Sequence, residues 1–593
     1  MKKILLITGI ALAGLFTSCD EFTDSLEAPA ESTLDESLIF STPGLAASAV
    51  DGIKIPFGET ESYRGRFLPW YGMNTDIEWY NSSESTGDKS DLVTYNTKPN
   101  NAEMNKSINA WAMMYSGIER ANICIRGLRQ YGNPTPENEM GYLLGEALTL
   151  RAIYYADLLR AWGDVPARFE PINTETLYLP KSSRDIIYKQ LIADLGEAAV
   201  LVPWPGGNSA TSSVEHINRA FVKGLRARLA MVASGFQQYP DGIRRSTDPD
   251  LSVDLMYNLA LKECMDVIGS GKAHLESSFE TLWKKYNQEV TTAGGESLWE
   301  IPFGDGRGRM LFTFAVNHTN NDQFHSNGSN RGGVAGPLPT VFYDYDIADT
   351  RRDVTCVPYK WGAPVNEIAK QQLGGINRWY FGKFRYEWMT RKVTSTNDDG
   401  VNKIYMRYAE VLLMAAEAAN ELQGPGAAAQ YLKEIRSRAF PAAQHATKVE
   451  AYVNSLSSKT AMHEAIMEEH KFEFTGEMER KQALIRWNKL GDKLEEAKAK
   501  MFRLQQRTGE YSDVATTLYY KLNPDNVTLS IYGLNHGETA NPGAGYTSIA
   551  WNNLTDAKIN GLYKGDPDQH QFWPIWQVFL DSSNGLLFND YGY

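Results

Sequence analysis

The sequence predicts a mainly α-helical protein, a scaffold of tetratricopeptide-like helix pairs carrying loop-rich excursions with short strands. Three observations predict it. Apolar residues recur three and four positions apart over long stretches, the signature of helices with one buried face. Clusters of Pro and Gly cut these stretches into pairs. Two segments, 280–400 and 500–593, lack long amphipathic runs and are rich in Gly, Asn and aromatic residues.

The first pair covers 104–130, with Trp111, Tyr115, Ile118, Ile123 and Leu128, and 139–162, with Leu143, Leu144, Ala147, Leu148, Tyr154, Tyr155 and Leu158. Pro134 and Pro136 separate them. A second pair, 183–201 and 215–236, is split by Pro203, Pro205, Gly206 and Gly207, and 252–269 adds another helix. Later pairs cover 404–422 with 426–438, and 459–474 with 477–490, the latter split by Gly476. Units of this size stack into solenoids because each buries its apolar face against the next. The helical scaffold is therefore expected over 44–279 and 401–499, with 280–400 and 500–593 mounted on it as loop-rich segments suited to binding.

The start of the chain reads as an export and anchoring signal. Lys2 and Lys3 precede a short apolar run over 4–16, too short to span a bilayer. Thr17, Ser18 and Cys19 follow, the pattern of a bacterial lipoprotein cleavage site. Residues 1–18 are expected to be removed and Cys19 to carry the lipid anchor, whose two or three acyl chains give stable attachment. Residues 19–43, acidic and Ser/Thr-rich, are expected to form the tether, and 44–593 the folded domain. No later stretch is long and apolar enough for a membrane-spanning helix.

With 593 residues and 42% hydrophobic content, a sizeable core is available. The net charge of -13, with no basic run, argues against nucleic acid as a partner. Beyond Cys19 the cysteines are Cys124, Cys264 and Cys356, an odd number; the first two sit in helical patterns as buried, inert thiols.

Several blocks resemble the SusD/RagB family in order along the chain. They are Gly145-Glu146-Ala147 through Leu150-Arg151-Ala152 and Tyr154-Tyr155 to Trp162-Gly163-Asp164-Val165-Pro166; Asn218-Arg219-Ala220 through Lys223-Gly224-Leu225 to Ala227-Arg228-Leu229; Met406-Arg407-Tyr408-Ala409-Glu410-Val411-Leu412-Leu413 with Ala416-Glu417-Ala418; Glu469, Glu473-Phe474, Gly476-Glu477, Arg480 and Leu484-Ile485-Arg486-Trp487; and Trp573-Pro574-Ile575 with Asn589 and Tyr591-Gly592-Tyr593. His470, Gln482, Ala483 and Trp576 depart from the usual pattern. The resemblance implies a SusD-like fold and a non-catalytic, lipid-anchored protein on the outer surface of a Bacteroidetes outer membrane. It implies an oligosaccharide ligand, or a peptide as in RagB-type members, and a TonB-dependent, SusC-like transporter as partner. Asp20 and Glu21 fit the surface-export signal of such proteins.

No cofactor is expected. Arg407 and Glu410, three apart, are expected to pair on one helix face, and Glu410 and Glu417 read as scaffold rather than catalytic groups. His463 and His470, seven apart beside Glu464, Glu468 and Glu469, lack zinc-protease spacing and read as a solvated helix face. His318 and His325, in an Asn-rich loop, could contact a ligand or coordinate a metal, but loop histidines usually do neither, and no metal site is assigned. Gly304-Asp305-Gly306-Arg307-Gly308 lacks the lysine of a phosphate loop, and no Gly-x-Ser-x-Gly elbow occurs. Carboxylate pairs for a glycosidase are not readable from one sequence.

The positive signal is aromatic rings beside amides and charges, since sugar rings lie flat on aromatic faces while polar groups bond their hydroxyls. Trp70, Asp76, Trp79, Tyr80 and Asn81 cluster before the first long helix; the central segment offers Trp283, Tyr286, Asn317, Trp361, Arg378, Trp379 and Tyr380. A shallow ligand face is expected from Trp79, Tyr80 and Asn81 with Trp283, Trp361 and Trp379. The competing reading places these rings in the core.

Overall fold

The computed structural model describes residues 35–593 apart from 305 and 397. Two short helices open it, α1 (Glu36–Ser41) and α2 (Pro43–Asp51). Phe40 of α1 is buried against α3 (Ala110–Tyr131). The expected tether to residue 43 thus gives way to folded chain at residue 36, because Phe40 has a core site to fill. Cys19 and the rest of residues 1–34 lie outside the described residues.

The expected helices follow: α3, α4 (Glu139–Trp162), α5 (Arg184–Leu201), α6 (Arg219–Ala233), α7 (Val253–Ser270), α8 (Tyr408–Gln423), α9 (Pro425–Ala439), α10 (Lys459–Phe474) and α11 (Arg480–Arg486). A further helix, α12 (Leu490–Gln506), runs past the boundary read from the sequence. Starts are set by side-chain caps. Asn109, Asn138, Ser183, Asn218 and Ser458 each accept a hydrogen bond from a first-turn amide. Each helix from α3 to α7 packs on the next, and α7 continues the stack onto α8 across the long central excursion. Helix α4 is buried on nearly every side, so its polar residues need partners. Arg151 meets Asp194 at 2.6 Å, Glu146 meets Lys54 at 2.8 Å, and Asp157 accepts from the Tyr63 hydroxyl at 2.6 Å.

Arg407 ends strand β4 (Lys403–Arg407), which pairs antiparallel with β2 (Ser297–Ile301). Its extended backbone (φ -134°, ψ 161°) places it before α8, so it does not share a helix face with Glu410. The expected Arg407–Glu410 pair is therefore replaced. Arg407 reaches Glu296 (2.8 Å), Glu473 (2.6 Å) and Glu477 (2.7 Å), while Glu410 receives Arg228 at 2.6 Å. Arg351 joins the same buried network through Asp349, Glu469 and Glu473. Between α10 and α11, Gly476 takes a positive φ of 90°, and a Cβ there would lie 2.8 Å from the Phe381 ring.

The last block closes the fold. The Trp162 indole donates to Pro574 O at 3.1 Å, Asn589 brackets Ile575, and the Tyr591 hydroxyl takes Arg184 at 2.6 Å. Within 500–593 the chain forms a three-stranded antiparallel sheet, with β5 (Thr517–Leu522) between β6 (Leu529–Tyr532) and β7 (Thr547–Ala550). Cys124, Cys264 and Cys356 are free and buried, and burial pushes the Cys124 thiol up to about 12.

Candidate functional site

Strand β1 (Glu78–Tyr80) joins the loop before α3 to the central segment by pairing antiparallel with β3 (Ala335–Pro337). Asn81 extends the ladder: its amide donates to Val334 O (2.9 Å) and its side chain to Gly333 O (3.0 Å). Successive side chains on a strand point to opposite faces. Trp79 accordingly turns inward and Tyr80 outward, half-buried, its ring edge-on to Trp70 at 5.4 Å. Arg378 is exposed, and its charge acts on the Tyr80 hydroxyl. Phe312 is also half-buried, with Arg309 and Arg331 at 5.4 and 5.0 Å from its ring. Its carbonyl takes Gly332 N at 2.8 Å, and the partly exposed Asn317 side chain donates to Gly332 O. One run of backbone, 331–334, therefore connects Phe312 and Asn317 to Asn81 and Tyr80. Lys558 braces it from the C-terminal segment, donating to Asn81 O (2.6 Å) and pairing with Glu84 (3.0 Å). Burial drops the Lys558 amine to about 8.

Most of the expected site residues lie elsewhere. Trp79 and Trp379 are 0% exposed and Trp283 is 1%. Trp379 stacks on Phe342 and meets Trp551; Trp283 sits among Phe279, Tyr286 and Phe384. Trp361 and Tyr380 belong to a small core cluster with Val316 and Val357, and the Tyr286 hydroxyl is spent on Asn402 O. Trp70 and Asn81 are buried, and Asp76 is held by Arg480 at 2.7 Å. A ring enclosed on both sides offers no surface to a sugar, so these rings belong to the core, as the competing reading had it. Of the twelve, Tyr80, Asn317 and Arg378 keep solvent contact, as does Asp76, whose carboxylate is taken by Arg480.

The histidines also differ from expectation. His470 is buried against Phe474 and Trp487, and Glu469 is buried with Arg351 and Arg436, so only part of this helix face is solvated. Burial, with Arg480 and Arg486 nearby, drives the His470 imidazole well below its usual range. Among the described residues, one cluster has metal-ligating chemistry: His318, Asp322 and His325. Glu417 is held at about 2 because Arg486 outweighs the upward push of burial.

Solvent-accessible Tyr80, Phe312, Asn317 and Arg378 thus stand on a helical scaffold, and comparison with known proteins identifies the family and fold of that scaffold. A family model described as the SusD family matches residues 363–593, and one described as starch-binding, associating with outer membrane, matches residues 65–223. The chain belongs to the SusD/RagB family. SusD-like protein P25 of Formosa agariphila is 24% identical over 409 residues, covering 64% of this chain and 70% of that protein. SusD-like protein P38 of the same organism is 23% identical over 512 residues, covering 80% and 89%. Among solved structures, a SusD homolog from Bacteroides thetaiotaomicron superposes with a TM-score of 0.72 at 19% identity, over 94% of this chain and 98% of that one. Surface glycan-binding protein A of the same species, in complex with laminarihexaose, superposes with a TM-score of 0.60 at 19% identity, over 92% and 99%. These likenesses extend to the fold.

In this SusD-family chain, sequence reasoning passed over Phe312, Arg309, Arg331 and Lys558. Phe312 lies in Met310-Leu311-Phe312-Thr313-Phe314, where every other apolar side chain is buried. No local pattern marks it as the outward one.

Proposed function

We propose that this protein is a surface-displayed, lipid-anchored glycan-binding protein that captures oligosaccharide and passes it to a TonB-dependent, SusC-like transporter, without chemical turnover. The observation carrying this reading is the pairing of a SusD-family chain with partly exposed Tyr80, Phe312, Asn317 and Arg378, rings and hydrogen-bonding groups linked through the 331–334 backbone and the charge of Arg378 on Tyr80. The matched family description, starch-binding and associating with outer membrane, and the laminarihexaose complex of a structurally similar protein support a glycan over a peptide and an outer-membrane location. Non-catalytic action fits the scaffold carboxylates: Glu410 and Glu417 are tied to Arg228 and Arg486. A shallow face suits a carrier that must release its cargo, and affinities on the order of micromolar to millimolar are expected.

The test is a glycan panel titrated against wild type, Tyr80→Ala and Phe312→Ala, with product analysis after long incubation. Each substitution should weaken binding by about 1–3 kcal/mol, roughly tenfold or more, by analogy with bases stacked on aromatic rings. Melting should change little. Unaltered affinity in both variants would remove this face from the reading, and cleavage by pure protein would make it an enzyme. For the anchor, Cys19→Ala should release the protein from cells; retention on intact cells would exclude lipidation there.

A further inference from the structure

Beneath the ligand face, residues 318–327 fold into a knot of polar side chains that glycan capture does not use. His318 and His325 are 0% exposed and Asp322 is 2%. The three lie four and three residues apart, and one ligand-competent atom from each falls within 4.8 Å of the others. Backbone bonds orient the aspartate. Its Oδ1 accepts from Phe324 N at 2.8 Å and from His325 N at 3.3 Å, which leaves Oδ2 for the centre. There Oδ2 lies 2.6 Å from His318 Nδ1 and 3.9 Å from His325 Nε2.

The His325 ring is the telling one. Its Nδ1 lies 2.7 Å from the Asn327 side-chain oxygen, so Nδ1 carries the proton and Nε2 presents a bare lone pair. That Nε2 has no hydrogen-bond partner and faces a carboxylate oxygen. Two buried acceptors opposed across a gap too long for a hydrogen bond are unfavourable unless a cation lies between them. A His318–Asp322 ion pair by itself leaves this nitrogen unexplained. On the far side of His318, Nε2 is also unpartnered, and Glu387 Oε2 stands 3.8 Å away, itself buried without a partner. Asn327 thus holds the outer nitrogen of His325, while Glu387 faces that of His318 from 3.8 Å, which a small shift would close to a hydrogen bond. Histidines that ligate metals are oriented in this way.

We propose that His318 Nδ1, Asp322 Oδ2 and His325 Nε2 form a binding site for one divalent transition-metal ion of the zinc class. Two imidazoles and one carboxylate select such an ion over calcium or magnesium, which take oxygen donors. Ligand atoms around a tetrahedral zinc stand about 3.3 Å apart, between the two distances found here, so small side-chain shifts seat the ion. The centre is enclosed by protein, which makes its role structural. His318 forms backbone bonds with Arg331 in both directions, and its ring stacks on Trp361. The ion therefore fastens the segment that carries Asn317 and Arg331 at the face.

The experiment uses untagged full-length protein, stripped with chelator, dialysed, and titrated with zinc and with cobalt(II). Metal content should reach one ion per chain, and cobalt should give the visible absorption bands of a site with few ligands. Zinc should raise the melting temperature of the wild type, and His325→Ala should abolish both the stoichiometric binding and the shift. Asn327→Ala, which leaves all three ligands in place, should weaken binding roughly 10–100-fold and carries the test if His325→Ala fails to fold. Failure of wild type to bind, or equal binding by wild type and both variants, would overturn the proposal. Neither result bears on glycan binding.

Discussion

Arg378 lies within the central loop-rich segment and Arg407 just beyond its end, and their surroundings are opposite. Arg407 is 1% exposed and shares Glu296, Glu473 and Glu477 with Arg351, Arg438 and Lys383. Arg378 lies in solvent beside Tyr80. The first arrangement is costly to desolvate and is tolerable only because the ions it encloses are matched; its contribution is to fix where the strand β4 and helices α8 and α10 meet. The second leaves a side chain free to answer a ligand. The family blocks read from the sequence fall mostly in the first kind of environment, which explains how a chain can keep its scaffold while its ligand surface diverges.

The largest effect that would break this comparison is at Arg407. Arg407→Ala leaves buried carboxylates facing one another and should cost about 3–5 kcal/mol, whereas Arg378→Ala should stay within about 0.5 kcal/mol of wild type. Urea denaturation of both variants decides it; similar losses would mean the two regions are not different in kind. Next come the enclosed tryptophans. Trp79→Ala and Trp379→Ala should each cost about 3–5 kcal/mol and lower the melting temperature clearly. Either variant melting like wild type would return that ring to the surface.

The pH response should be smaller, and its direction separates two buried glutamates. Burial raises Glu78 to about 8, the amide of Gly476 offsetting only part of that. Its proton is held more tightly in the folded state, so the associated stability is complete below the unfolded carboxylate value and lost as pH rises through about 8. Glu417, held at about 2 by Arg486 against burial, contributes stability above the unfolded value that disappears as pH falls through about 2. Glu78→Gln should therefore flatten the decline of the urea midpoint between about pH 5 and about pH 8, by at most a few kcal/mol at about 1.4 kcal/mol per unit. A decline that persists unchanged in the variant would assign it to other groups.

The helix pairs were legible because periodicity, caps and Pro/Gly breaks are local. Helix α12 had the same signal, in Leu490, Leu494, Ala497, Met501 and Leu504, all buried, yet it lies beyond the last pair read from the sequence, which ends at 490. The position of Arg407 was not legible, since three residues' separation from Glu410 implies pairing only if both are helical, and β2 draws Arg407 into a strand.

By itself, then, the sequence determined the helical stack, the order of its members, the buried thiols and the family. Tertiary structure decided which aromatic rings meet solvent. Trp79 and Tyr80 are neighbours of similar chemistry, and strand alternation sends one to the core and the other to the face only once β3 pairs with β1 from more than 250 residues away. The histidines follow the same rule. His318, Asp322 and His325 are close in sequence, yet what makes them a candidate site is enclosure by Trp361, Tyr386 and Glu387, which no local pattern encodes. Local spacing sets which backbone a residue can adopt; burial and orientation depend on partners that the chain brings from afar.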